Sequence, residues 1–125
     1  MKNLIIDATK EEIFFSVITD SQSYTTTYIN SRENFDRFID YLLIFFKKYN
    51  IELKDIEKIF VNQGPGKLSS IRTSISAAKA LSFTNKLNLY GFNSEYVKNQ
   101  NYDKIIDLFN KGHLIKNLIK PQYSS

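Results

Sequence analysis

The stretch that decides the fold runs from residue 61 to residue 82 and reads VNQGPGKLSSIRTSISAAKALS. It starts at the end of an apolar run, passes through a Gly-Pro-Gly turn and continues with small and apolar residues at helical spacing. Glycine and proline mark tight turns, and the periodicity after them predicts a helix from about Ser69 to Thr84. A strand, a turn and a helix in this order are typical of α/β proteins, which is the fold class that we expect.

Five short apolar segments are predicted as strands. Three of them precede the quoted stretch, at residues 2–7, 13–18 and 24–29, and their short polar links indicate an antiparallel meander. The other two are residues 58–62, before the turn, and residues 87–92, after the helix. The order βββαβαβ predicts a single ribonuclease-H-like lobe of the kind found in actin and sugar-kinase ATPases (the ASKHA type), with a five-stranded mixed sheet and flanking helices.

A further helix is predicted between the third and the fourth strand. Ser31 is a good N-cap for it, and Asn50 is a suitable stop. Between them the apolar residues recur at the spacing of one helix face: Phe35, Phe38, Ile39, Leu42, Leu43, Phe46 and Tyr49. We assign residues 1–97 to the lobe and residues 98–125 to a C-terminal helical tail.

The composition excludes several classes of protein. The chain of 125 residues has no cysteine, which excludes disulfides and thiolate metal sites. Its single histidine, His113, is predicted to be a bystander, because it forms neither a histidine metal site nor a catalytic triad. The net charge of +4 comes from scattered lysines, so no basic stripe for nucleic acid is indicated. The N-terminal apolar run is too short for a signal peptide and no segment approaches a membrane span, so we expect a cytoplasmic protein without membrane contact.

The Gly-Pro-Gly turn does not match a P-loop. That motif requires GxxxxGK followed by serine or threonine, whereas Gly64 and Gly66 are two residues apart and leucine follows the lysine. The turn is expected to join strand and helix, and the amides at the helix start could still face an anion. With Asp7 and Thr9 after the first strand, these glycines are the candidate phosphate contacts of a minimal ASKHA-type nucleotide-binding protein or ATPase, an alternative that the residues leave open.

Three other functions are weighed against these residues. A two-metal nuclease needs several carboxylates around Asp7, and only Glu11 and Glu12 are close to it in sequence. A nucleic-acid-binding lobe predicts binding of nucleic acid that depends steeply on salt. A peptidase would need a metal triad or a nucleophile–base pair, and neither is found. We therefore predict no metal site and no catalytic residues.

The helix after the turn has faces of different character. One side is apolar and is expected to pack on the sheet: Ile71, Ile75 and Ala78. The opposite side is expected to face water: Arg72, Ser76 and Lys79. The side between them consists mostly of small residues and is either simply exposed or a packing surface for another chain. The residues of this side are Ser70, Thr73, Ser74, Ala77 and Leu81, and the pattern alone leaves both interpretations open.

Four segments resemble the TsaB (YeaZ) family. LIIDATKEEIFFSVI, residues 4–18, is similar to the opening of that family, and SRENFDRFIDYLL, residues 31–43, to its first helix, where Asn34 replaces the usual histidine. The quoted stretch resembles the family segment Gly-Pro-Gly-Ser-Phe-Thr-Gly-Leu/Val-Arg and its small-residue helix. LNLYGFNSEYV, residues 87–97, resembles the part that follows. The central segment is the most specific of the four.

The resemblance implies a non-catalytic partner protein. TsaB proteins have the ASKHA-type fold without its catalytic machinery, and they pair with the related ATPase TsaD through the helix after Gly-Pro-Gly. With TsaE and a threonylcarbamoyl-AMP synthase they support formation of N6-threonylcarbamoyladenosine (t6A) in tRNAs. We therefore expect a scaffold that binds a TsaD-type ATPase, with a TsaE-type ATPase in the complex, indirect contact with tRNA, and a homodimer as another option. The resemblance also predicts the partner interface at the small-residue side of the helix: Ser70, Thr73, Ser74, Ala77 and Leu81. No resident cofactor is implied, and ATP is the only one left in consideration.

Two departures from the family pattern matter. Residues 66–70, GKLSS, replace the family's Gly-Ser-Phe-Thr-Gly, which changes the polarity of the turn and the approach to the helix. The chain is also much shorter than members of the family, and we expect its second lobe to be missing while a tail ending in Pro-x-Tyr, residues 121–123, is retained. Because nucleotide lies between the two lobes of ASKHA proteins, tight ATP binding is not expected from one lobe.

Overall fold

Six strands form one sheet: β1 (Lys2–Asp7), β2 (Glu12–Ile18), β3 (Ser23–Ile29), β4 (Ile56–Asn62), β5 (Asn88–Phe92) and β6 (Ile115–Lys116). The structure is a computed structural model and describes residues 2–116 and 119–120. The strands lie in the order β3-β2-β1-β4-β5-β6. The first three strands form the predicted antiparallel meander, and β4 and β5 continue the sheet in parallel with β1. The predicted mixed sheet of a ribonuclease-H-like lobe is confirmed.

Helices cover both faces of this sheet. Within the described residues they are α1 (Arg32–Asp36), α2 (Phe38–Lys48), α3 (Leu68–Asn85) and α4 (Asp103–Asn110), with 3₁₀ turns at Leu53–Asp55 and Ser94–Gln100. α2 and α3 pack on one face, and α4 packs on the other. Alternate residues of a strand point to opposite faces of the sheet. Leu4 and Ile6 of β1 therefore belong to the core under α2 and α3, and Ile5 belongs to the core under α4. Because both faces are covered, β1 is an almost continuous apolar run.

The helix predicted from Ser31 to Asn50 is two helices with a break at Arg37. Ser31 caps the first as expected, since its Oγ accepts the Asn34 N–H at 3.3 Å. The Asn34 side chain also donates to the Ile29 carbonyl at 2.6 Å, which ties α1 to the end of β3. Phe38 must meanwhile enter the core against Phe15, with ring centroids 5.2 Å apart. The chain meets both requirements by leaving helical geometry at Arg37.

This break rotates α2 relative to the predicted stripe. Phe45, which was not in the stripe, is buried beside Leu42. Ile39 and Leu43, which were in it, are 37% and 48% exposed. The stop at Asn50 is as predicted, because Asn50 has a φ of 54° and the following amide closes on the Phe46 carbonyl at 2.8 Å.

The segment after residue 97, predicted as a C-terminal helical tail, is helical in its first part only. α4 ends at Asn110, Gly112 adopts a φ of 73°, and the chain then turns back. Residues 115–116 pair antiparallel with β5 as a sixth strand. The reason is that β5 ended the predicted sheet and left an open edge that this segment can satisfy. Gln63 also donates its side-chain amide to the Lys120 carbonyl at 3.0 Å. The Pro-x-Tyr ending lies outside the described residues.

Candidate functional site

The carboxyl ends of the central strands converge on the Asp7 carboxylate. One carboxylate oxygen accepts the Thr9 backbone N–H at 3.0 Å and the Thr9 hydroxyl at 2.6 Å. The other accepts the side-chain amide of Asn62, at the end of β4, at 3.1 Å and the hydroxyl of Tyr102 at 2.6 Å. A carboxylate has about four acceptor positions, so these donors occupy the whole group.

Asn62 carries the network from Asp7 to the Gly-Pro-Gly turn. Its Oδ1 accepts the Gly64 N–H at 2.9 Å and lies 3.3 Å from the hydroxyl of Ser94. The same hydroxyl is 2.8 Å from the Pro65 carbonyl, and the Ser94 N–H donates to the Gly64 carbonyl at 2.9 Å. The Gly64–Pro65 peptide is cis, and Gly64 has a φ of 111°. The turn is therefore held from both sides, by β4 and by the segment after β5.

The second glycine of the turn packs directly on the loop after β1. The Lys67 N–H donates to the Thr9 carbonyl at 3.0 Å. A Cβ added to Gly66 would lie 2.6 Å from the Thr9 Cβ and nearer still to the Thr9 carbonyl oxygen. Gly66 is thus needed for close approach of the turn to the β1 loop. This contact fixes the start of α3.

The four predicted phosphate contacts are brought together, but as an internal brace. Asp7 and Thr9 are 2% and 4% exposed, Gly64 is buried and only Gly66 is exposed. A negative carboxylate with all its acceptor positions filled does not suit a phosphate. A metal centre does not fit either, because the described residues contain no cluster of three histidine, cysteine or acidic side chains that could hold one. His113, which was predicted to have no functional role, lies after α4, and its backbone N–H donates to the Leu108 carbonyl.

Three members of this network were missed by the sequence analysis: Asn62, Ser94 and Tyr102. Asn62 could have been found, because a polar residue directly after a buried parallel strand points to the functional edge of an α/β sheet. Tyr102 carries no local signal, since it reaches Asp7 across 95 residues of chain.

A cleft of about 330 Å³ lies beside Asp7 and Tyr102. It is lined by residues of both charges and by apolar and polar side chains: Asp7, Lys10, Glu11, Glu12, Phe14, Thr27 and Tyr102.

The Tyr102 hydroxyl is held in its neutral form. Burial raises the pKa of Tyr102 above its ordinary value, and the negative charge of Asp7 and the hydrogen bond to it raise it further. Its pKa is therefore higher in the folded protein than in the unfolded chain, so the stabilisation is complete below about pH 10 and is lost as the pH rises further. We expect the stability difference between the wild type and Tyr102→Phe to shrink above that pH. Urea unfolding across the alkaline range measures this difference, and a constant value would contradict the assignment.

The predicted partner interface is only partly available on the surface. Ser70 and Ser74 are fully buried and Leu81 is 8% exposed, whereas Thr73 and Ala77 are half-buried. The three buried residues are not accessible in the free chain, because α3 packs against α2 and against strands β1, β4 and β5 of the same chain. The Ser70 hydroxyl has no hydrogen-bond partner among the described residues, so small size is what this position requires.

A neighbouring face of α3 is open to solvent, and we call it the outer α3 face. Its residues follow helical spacing and are mostly small: Ser69, Arg72, Thr73, Ser76, Ala77, Lys79, Ala80 and Phe83. Phe83 is 86% exposed, which is unusual for a phenylalanine. The predicted water-facing residues of α3 are confirmed as exposed, and they belong to this face.

The fold and the site define a single ribonuclease-H-like lobe in which the edge at the carboxyl ends of the central strands is closed by internal hydrogen bonds. The sequence profile of the family described as "TsaD: tRNA N6-adenosine threonylcarbamoyltransferase" matches residues 20–100. The chain belongs to this family. A curated relative, the tRNA N6-adenosine threonylcarbamoyltransferase of Syntrophus aciditrophicus (strain SB), is 41% identical over 63 residues, which is 50% of this chain and 19% of the relative. The chain therefore spans about a fifth of that protein's length.

Solved structures agree on the fold. YeaZ from Pseudomonas aeruginosa superposes with a TM-score of 0.68 at 15% identity, over 74% of this chain and 43% of that one. The structure titled "T. thermophilus RuvC in complex with Holliday junction substrate" gives a TM-score of 0.55 at 13% identity, over 79% of this chain and 68% of that one. At such identities the likeness concerns the fold alone. The resemblance to TsaB (YeaZ) is confirmed at the level of the fold. The part of the chain that the structure describes has no helix long and apolar enough to span a membrane.

Proposed function

We propose that this protein is a non-catalytic scaffold that binds a TsaD-type ATPase and supports t6A modification of tRNA. A TsaE-type ATPase would join the same complex, and tRNA would be met through the complex in the cytoplasm. The proposal needs no cofactor in this chain. The observation that carries it is the outer α3 face, which lies on the helix that resembles the docking helix of TsaB proteins.

The filled Asp7 carboxylate supports a role without catalysis. In an ASKHA ATPase the aspartate after the first strand must meet the phosphates and their metal. Here its oxygens accept from Thr9, Asn62 and Tyr102 instead. Breaking these buried bonds to free the carboxylate would cost several kcal/mol, because each donor would be left unpaired. The alternative, a minimal nucleotide-binding protein or ATPase, has no comparable support from the geometry.

The outer α3 face has the surface chemistry of a helix-packing site. Ser76 and Ala80 are small enough to let a second helix approach closely, and exposed Phe83 at its end supplies an apolar anchor of the type enriched at interfaces. The rest of α3 is fixed in the core, so the face is rigid before binding. A preformed helix face limits the entropy lost on association.

Ser76→Arg is expected to weaken binding to the TsaD-type protein of the same genome roughly tenfold or more, because a long charged side chain would separate the two helices. Arginine is a good helix former and Ser76 is exposed, so the fold should be unaffected. Co-purification followed by size-exclusion chromatography with light scattering measures the complex.

Ser21→Arg is the matched control for this experiment. It makes the same chemical change at an exposed position in the turn between β2 and β3, away from α3, and is expected to leave the complex intact. If the wild-type chain forms no complex, or if both variants bind as well as the wild type, docking through α3 is wrong. tRNA and ATP binding would then be the next functions to measure.

A further inference from the structure

The outer edge of β3 is a long open edge without the usual protection. β3 is the terminal strand of the sheet, and no other described segment pairs with its outer side. Natural edge strands are commonly protected by charged residues, proline or bulges. The seven residues of β3 read SYTTTYI, contain none of the protective residue types, and pair with β2 in an unbroken register. Such an edge is a template for another strand.

The backbone groups that face outward follow from the hairpin. The Thr19 N–H donates to the Gln22 carbonyl at 2.8 Å, and the Asn30 N–H donates to the Glu11 carbonyl at 2.9 Å. Because antiparallel pairs alternate, the even-numbered residues between them bond to β2 and the odd-numbered ones face the open edge. These outward residues are Ser23, Thr25, Thr27 and Ile29. The Ile29 carbonyl already accepts from the Ser31 N–H and from Asn34, so the open edge ends there.

The sequence of β3 is its own antiparallel complement. The five residues YTTTY are symmetric about Thr26. If two copies run antiparallel about an axis at Thr26, Thr25 of one copy lies opposite Thr27 of the other, and Ser23 lies opposite Ile29. Every outward-facing residue then meets another outward-facing residue, and Thr25 and Thr27 can exchange both of their backbone hydrogen bonds. The ladder ends at Ser23 and Ile29, where only the Ile29 N–H can still pair because the Ile29 carbonyl is occupied. Tyr24 lies opposite Tyr28 in the same register, and aromatic and threonine pairs are favourable across strands.

The charges of the edge suit the same arrangement. No charged residue lies within Ser23–Ile29, so two copies meet without opposed like charges. The acidic turn before β3, at Asp20, would lie beside the second copy's Arg32, just after its β3. An unrelated partner strand would need neither this symmetry nor this charge pattern. The edge therefore favours a second copy of the chain over another protein.

The helix above the edge offers a second surface in the same place. Tyr28 stacks on Tyr41 with centroids 4.3 Å apart, and Tyr24 contacts Tyr49 at 4.8 Å, so α2 lies along β3. Ile44 is on the Tyr41 side of α2, near its middle, and is 51% exposed. An axis at Thr26 would bring the two copies of α2 side by side near this residue. The exposed isoleucine would then be covered.

We propose that two copies of this chain pair antiparallel through β3 about a two-fold axis at Thr26, which joins their sheets into one. The interface is isologous, because the same strand and the same helix flank serve both copies. It consists of the outward backbone groups of β3, the Tyr24 and Tyr28 pairs and the flank of α2 around Ile44. This dimer goes beyond the proposed scaffold function and does not rest on it.

Opposed charges test the register. Light scattering of the wild-type chain at rising concentration is expected to give about twice its mass of 14.6 kDa. The double variant Thr25→Lys, Thr27→Lys places two pairs of like charges opposite each other and is expected to weaken the dimer roughly tenfold or more. The double variant Thr25→Lys, Thr27→Asp places opposite charges in the same positions and is expected to retain it. Both side chains are exposed, so circular dichroism and melting should show folded protein in each case.

Cysteine cross-linking tests the axis directly, because the natural chain has no cysteine. At the axis two Thr26→Cys thiols would face each other as a non-hydrogen-bonded pair, with Cα atoms about 4.5 Å apart, which a disulfide can bridge. Diamide is expected to convert this variant to a covalent dimer, while the control Ser76→Cys on α3 stays largely monomeric on a denaturing gel. A monomeric wild type, equal dimerisation of the two charge variants, or no preference of Thr26→Cys over the control would each overturn the proposal.

Docking of the TsaD-type protein through α3 and pairing of two copies through β3 can be tested independently. β1 and β2 separate β3 from β4, the strand that leads into α3. Ser76→Arg is therefore expected to lower binding of the TsaD-type protein without changing the mass of the free chain. The lysine pair at positions 25 and 27 is expected to lower that mass without abolishing binding of the TsaD-type protein.

Discussion

Asp7→Ala is expected to lower the free energy of unfolding by about 3–5 kcal/mol, because it leaves several buried donors without an acceptor. The carboxylate is 2% exposed and accepts hydrogen bonds from Thr9, Asn62 and Tyr102. Alanine offers none of these acceptors, and the Thr9 and Asn62 donors are buried, so they would be left unpaired. Denaturant unfolding followed by circular dichroism measures the loss.

Two further variants make this result specific. Asp36→Ala removes an exposed carboxylate at the end of α1 and is expected to change stability by less than about 0.5 kcal/mol. Asp7→Asn keeps the shape but turns one acceptor into a donor, so an intermediate loss is expected. The ATPase alternative would be favoured over the scaffold by a different outcome. In that outcome the wild type hydrolyses ATP, and Asp7→Ala is nearly as stable as the wild type but has lost this hydrolysis.

Gly66→Ala is expected to destabilise the protein by about 1–3 kcal/mol through overpacking. The new Cβ would lie 2.6 Å from the Thr9 Cβ, and the Thr9 backbone cannot move away without breaking its bonds to Asp7 and to the Lys67 amide. The turn must therefore lift off the β1 loop, and the start of α3 moves with it. A lower melting temperature, with reduced binding of the TsaD-type protein, is the expected pair of observations.

Gly112→Ala is the matched glycine control. Gly112 has a φ of 73° and no atom within 4 Å of an added Cβ, so its cost is backbone strain alone, about 1 kcal/mol. This variant lies after α4 and is expected to leave partner binding unchanged. Equal loss of binding in both glycine variants would show that general destabilisation, and not the position of α3, controls docking.

These expectations give the closed network a single physical role. The aspartate at the end of β1 forms a brace between the β1 loop, the Gly-Pro-Gly turn and the segment before α4. Its strength fixes where α3 begins and therefore which residues α3 presents to solvent. A site that serves catalysis in a two-lobed ATPase would here serve the geometry of a docking helix.

The local elements of the fold were readable from the sequence. The five predicted strands, the Ser31 cap, the stop at Asn50 and the helix after the turn are all present, because each depends on residues that are neighbours in the chain. β6 was not predicted, since a strand of two residues has no periodicity of its own and forms only because β5 offers an edge. The break at Arg37 was not predicted either, because it depends on where α1 and Phe38 are anchored in the tertiary structure.

The candidate site shows the same division. By itself, the sequence identified Asp7, Thr9 and the two glycines as one group, since the ends of parallel strands and the turns after them meet at one edge of an α/β sheet. Only the tertiary structure revealed that Tyr102 fills the last acceptor of Asp7, and that Ser70 and Ser74 are buried within the same chain. Helical periodicity states which residues share a face, but it does not state which way that face points. That direction is decided by the packing of segments far apart in the chain, where burial of apolar surface outweighs local preference.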